Sequence, residues 1–251
     1  MNVPSNIMKI RLERANELTR YAQLIEKFDI ADTFPLHQAA KKLKDKAKAF
    51  HKPKTTDYSC WGYSIEDLIL YLPVTGRHIY PNTISSLEIS IDTSILCDHQ
   101  IWGSYNDPFI QMNFRTRIRG IDSSGTYSFG FHIDKHDNSV DTDEIHPIYH
   151  IQYLPRTESS IATGQVLSMD TPRMMHLPVD IILGTDIVLA NFAPEVWNKM
   201  RNENEYHSIF KLYQESFWRP YIHTFASNWM FDPSDLSWNG KHDICPNLSG
   251  R

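Results

Sequence analysis

Cysteine is scarce in this sequence: Cys60, Cys97 and Cys245 are the only three in 251 residues, and no CxxC pair occurs. An odd and scattered set argues against a disulfide framework and against a zinc ribbon, and it fits a reducing compartment. No apolar run approaches the roughly 18 residues that a membrane-spanning helix requires. The stretch from Met1 to Arg14 lacks the apolar core of a secretory signal. The expectation is a soluble cytoplasmic protein with no membrane partner. Excess positive charge is missing as well: 25 Lys+Arg stand against 30 Asp+Glu, a net charge of -5, so nucleic acid would have to be met by a local patch. GxxxxGK[ST], GxGxxG, HExxH and GxSxG are all absent, which removes the usual support for a phosphate-binding loop, a dinucleotide fold, a zincin or a nucleophile elbow. Neither internal repeats nor low-complexity tracts appear.

What is present suffices for a packed core, with 41% hydrophobic, 12% aromatic and 22% charged residues. One α+β domain over residues 1–251 is expected: a helical part at 1–80, a sheet at 84–155, C-terminal helices at 177–230 and a loosely ordered tail at 231–251. Ile7, Ile10, Leu18, Tyr21, Leu24, Ile25 and Phe28 recur at helical spacing and predict a helix from Asn6 to Phe28. A second helix is expected from about Leu36 to Phe50, carrying a basic run from Lys41 to Lys48. Ser64-Ile65-Glu66-Asp67 reads as the capped start of a short helix through Leu72, closed by Pro73.

Beyond Pro81 the period changes to two. Leu87, Ile89 and Ile91 mark one strand. Met112, Phe114, Thr116 and Ile118 mark a second, which turns at Asp122-Ser123-Ser124-Gly125 into a third with Tyr127, Phe129, Phe131 and Ile133. A fourth runs from Ile145 to Tyr153. After an irregular crossing at 154–178, Val179 to Phe192 reads as a deeply buried helix, and Glu203 to Trp229 as an amphipathic one kinked or broken at Pro220. The predicted architecture is an antiparallel four-stranded meander flanked by N-terminal and C-terminal helices. In element order, residues 6–225 resemble the ubiquitin-conjugating and RWD fold. No cysteine stands in the crossing where that family's catalytic cysteine would lie, so the resemblance carries layout and no conjugating activity.

Chemistry is carried by the non-core strand positions. With neighbouring strands paired, Arg115, Arg117 and Arg119 fall beside His132 and Asp134, and these beside His146 and His150, on one face. His132 and Asp134, two apart on a strand, can share one metal; His146 and His150 lie about 13 Å apart and cannot both join them without a bulge. The expected metal set is His132, Asp134 and His146, and the expected catalytic set is His132, Asp134 and His150, with a divalent metal as the cofactor. Arg115, Arg117, Arg173 and His176 are the candidate ligand-binding residues, the last two just ahead of the helix that Asp180 would cap. A solvated sheet face also demands polar side chains. The first functional expectation is therefore an accessory subunit binding a protein or nucleic-acid partner through this face or through the aromatic C-terminal helices. The alternative is a metal-dependent phosphoesterase or nuclease acting on a phosphate-containing ligand.

Overall fold

The computed structural model describes residues 5–46, 50, 60–74, 82–102, 106–136, 147–153 and 174–227. Two helices, α1 (Ser5–Glu26) and α2 (Phe34–Lys44), precede the strands β1 (Cys60–Pro73), β2 (Ser86–Asp98), β3 (Phe109–Asp122), β4 (Gly125–Lys135), β5 (Tyr149–Tyr153) and β6 (Met174–Met175). The helices α3 (Ile181–Phe192), α4 (Pro194–Met200) and α5 (Asn204–Tyr213) follow; a π-helical turn at Gln214–Trp218 then leads into α6 (Arg219–Ser227). Each strand pairs antiparallel with its neighbour in sequence, giving one sheet in the order β1 to β6. The α+β meander with flanking helices is as expected, but the sheet has six strands rather than four. Among the described residues no helix is long and apolar enough to cross a membrane. The expected tail at 231–251 lies outside the described residues.

The additional long strand is β1, where a helix was expected from Ser64 to Leu72. Ile65 pairs with Thr93 and Leu68 with Ile91, so Glu66 and Asp67 together oppose Asp92. This is a β-bulge: the inserted residue returns both Ile65 and Leu68 to the buried face, and their spacing of three imitates a helix. Asp67 occupies the left-handed region at φ 52°. The other added strand, β6, has two residues and is too short to show any period.

The hairpin turn forms where expected. Asp122 pairs with Gly125, and the Asp122 carboxylate accepts the backbone N–H groups of Ser124 and Gly125. One face of the sheet supplies Ile89, Ile91, Phe114, Ile118, Phe131 and Ile133 to the core. Against it lies α3, buried along its first turns and at Val188 and Leu189, with Gly184 seated on the Phe114 ring. Asp180 caps α3: Oδ1 accepts from the N–H groups of Ile182 and Leu183 at 3.1 and 3.0 Å, and Oδ2 accepts from the Tyr63 hydroxyl at 2.9 Å. At the other end of the core the buried Arg11 donates to the carbonyls of Leu43 and Asp45, closing the C-terminus of α2. Pro220 lies just beyond the π-helical turn rather than at a break; the wider turn accommodates a residue that has no N–H to give.

A buried ion pair joins Arg14 and Glu17 of α1, with Nη2 and Oε1 2.6 Å apart. Burial pushes the Glu17 carboxyl up to about 7, against the pull of Arg14. Burial likewise raises Asp180 to about 6, against its hydrogen bonds. Both folded values lie above those of the unfolded chain, so the stability they contribute is complete at acid pH and is lost as pH rises through about 6 and 7. Between pH 5 and pH 8 the wild type should lose roughly 3 kcal/mol through Glu17, at about 1.4 kcal/mol per tenfold change in proton affinity. Glu17→Gln should flatten that slope. Urea unfolding at the two pH values tests this, and an equal loss in the variant would refute it.

Candidate metal centre

Alternation along β4 sends Phe131 and Ile133 into the core and His132 and Asp134 to the opposite face. Register then selects the third member of the group. Asp134 pairs with His150 of β5, so the two side chains stand directly across from each other on one face. His132 is flanked by Arg115 of β3 on one side and Gln152 of β5 on the other. One nitrogen from each of His132 and His150 and one oxygen of Asp134 lie within 4.8 Å of one another. This is the single group of its kind among the described residues.

The group is sheltered although it sits on the face away from α3. The side chain of His150 is 5% exposed, that of His132 17% and that of Asp134 28%. Nδ1 of His150 faces the Pro147 carbonyl oxygen at 3.3 Å. A carbonyl only accepts, so Nδ1 carries a hydrogen, and Nε2 meets Asp134 either as the lone pair of a neutral ring or as the N–H of an imidazolium. Nε2 lies 3.0 Å from Asp134 Oδ1, and His132 Nε2 lies 3.6 Å from Oδ2. Oδ1 is buried, and with His150 as a neutral ring it has no hydrogen-bond partner among the described residues. Burial pushes the Asp134 carboxyl up, but His150, then His132 and His136, pull it down further, and the net effect is a lowered pKa and an ionised group. A lone pair facing a carboxylate oxygen is repulsive unless a proton or a metal ion lies between them. The outer imidazole hydrogen held by a backbone carbonyl is the arrangement that orients a metal-ligating histidine.

Of the expected residues, His132, Asp134 and His150 come together, whereas His146 and Arg173 lie outside the described residues. Arg117 is engaged by Asp92 at 2.9 Å and Asp67 at 3.2 Å. His176 does not join the group; its ring faces the Leu177 carbonyl at 2.7 Å, and burial lowers its pKa. His136 follows His132 and Asp134 at the same period, and its charge reaches Asp134. The alternation of His132, Asp134 and His136 was the signal. Met175, opposite His150 on β6, had none, because β6 has no pattern of its own.

The remaining candidates are occupied by structure. Cys97 is buried and burial pushes its thiol well up, away from nucleophile chemistry. Lys41, Lys42 and Lys44 lie along a solvated face of α2. In the C-terminal helices, Trp197 donates to Asp186, Trp218 donates to the Pro178 carbonyl, and Phe217 and Tyr221 are buried. Compared with protein-family models, with curated proteins and with solved structures, the chain matches none.

Proposed function

We propose that the chain is a metal-dependent hydrolase in which His132, Asp134 and His150 hold one divalent ion. The observation that carries this is the convergence of three ligand atoms within 4.8 Å around a buried carboxylate oxygen that has no hydrogen-bond partner among the described residues. Two imidazoles and one carboxylate suit zinc and its transition-metal neighbours better than magnesium or calcium, which favour all-oxygen shells. Three protein ligands would leave a coordination position for water, and a dication held there would supply hydroxide at neutral pH by lowering the pKa of that water to about 7.

Elemental analysis of protein purified without a metal-affinity tag, and then dialysed against zinc, tests the reading. Close to one equivalent is expected in the wild type, with less than about a tenth of that in a His132→Ala, Asp134→Ala double variant of unchanged circular dichroism. Hydrolysis of nitrophenyl esters by the wild type should disappear with a chelator and return with zinc. A metal-free wild type, or equal metal in wild type and variant, would overturn the proposal.

A further inference from the structure

Resting on that metal reading, we propose that Arg115 is the anion-binding residue of the centre and that the substrates are phosphate monoesters. The outward side of β3 carries three arginines, and two of them are already neutralised. Arg119 faces Glu88 at 3.5 Å, and Arg117 is held by Asp92 and Asp67. Arg115 is exposed and, among the described residues, makes no hydrogen bond or ion pair.

Register explains why this one guanidinium is left over. The residues directly opposite Arg115 are Asp92 on β2 and His132 on β4. Asp92 would be its natural partner, but both carboxylate oxygens are taken. Oδ1 accepts the N–H of Asp67 at 2.9 Å, and Oδ2 accepts from Arg117 at 2.9 Å. The bulge in β1 is what delivers Asp67 there: its left-handed backbone turns the N–H toward Asp92, while its carboxylate receives Ser90 and Arg117. On the other side, His132 is a metal ligand and supplies no negative charge. A permanent cation therefore stands uncompensated beside the metal group, with its Cβ about 5 Å from that of His132.

The ligand class follows from the number of oxygens. A guanidinium grips two oxygens with its fork, and the metal needs a third. A carboxylate has two in all, and so has a phosphate diester; a phosphate monoester has three free of the ester link, enough for both. In the reaction implied, the oxygen of a metal-bound hydroxide forms the new P–O bond. The ester P–O bond breaks with its electron pair going to the leaving oxygen, and that oxygen takes the proton the water gave up. Water is the only co-reactant, and nothing is oxidised or reduced.

The test measures binding of inorganic phosphate to the zinc-loaded protein by calorimetry, with zinc stoichiometry determined on the same samples. Arg115→Gln should keep its zinc and lose phosphate affinity by roughly 10- to 150-fold, the range expected of a charge-assisted hydrogen-bonded contact. Arg115→Lys should recover only part, because an ammonium lacks the fork. Unchanged phosphate affinity in zinc-loaded Arg115→Gln overturns this proposal while leaving the metal reading intact. Acetate binding as tightly as phosphate overturns the assignment of the ligand class. A wild type that takes up no zinc overturns the metal reading, and this one with it.

Discussion

Zinc at about a thousandfold excess over its Kd should raise the unfolding temperature of the wild type by roughly 8–16 °C, and a His132→Ala, Asp134→Ala double variant should show none of that rise. A ligand that binds only the folded state adds about 4 kcal/mol at that excess, and for a chain of this size each kcal/mol moves the midpoint by roughly 2–4 °C. The 12 histidines also offer sites for zinc in the unfolded chain, which pulls the expected rise toward the lower end. Differential scanning calorimetry with zinc, and again after a chelator, is the measurement. An equal rise in the double variant would place the binding elsewhere and remove His132 and Asp134 as ligands. Asp134→Asn is informative beside it: it keeps an oxygen but loses the charge, and should retain only a fraction of the shift.

Gly184→Ala should destabilise the fold, and Gly184→Leu should do so severely, by at least about 3 kcal/mol. Two effects oppose each other in the alanine variant. Removing a helix-interior glycine gains about 1 kcal/mol of intrinsic propensity. Against that, a Cβ at this position would run into three atoms of the Phe114 ring, which is itself fully buried between α3 and the sheet. Overpacking of that kind costs about 1–3 kcal/mol, and the ring has no solvent side to swing toward, so packing outweighs propensity. Urea denaturation gives the answer directly. An alanine variant as stable as wild type would mean that α3 can lift from Phe114 cheaply. In a Gly184→Ala, Phe114→Leu double variant part of the loss should return.

Strands β2 and β3 were legible because their buried and more exposed positions alternate over ten or more residues, and β4 because its apolar and polar residues alternate in sequence, although burial follows that alternation only from Phe131 to Asp134. Strand β1 was not: its bulge at Glu66 and Asp67 converts a period of two into a local step of three, and a serine and an acid stand where a helix cap would have them. The face shared by Arg115, His132 and Asp134 was readable from alternation alone. The choice of His150 was not, since Asp134 opposite His150 is a fact of register, and register is set by loop length and pairing rather than by residue type. The unpaired state of Arg115 was further from view. It depends on Asp67, nearly fifty positions earlier, reaching Asp92 through a backbone conformation that no pattern announces.

The strict neighbour-to-neighbour order of the strands bears on how the molecule comes together. Every pairing in the sheet joins segments adjacent in the chain, so each can close with a short search and a modest loss of chain entropy. The contacts between α1 and α5, such as Lys27 with Glu203, must instead wait for almost the whole chain. All three members of the metal group lie on β4 and β5, within a single early-closing pair. An ion bound at the proposed site would therefore meet its ligands before the two ends of the chain meet each other, and it would act as a clasp on the half-built sheet as well as on the finished one.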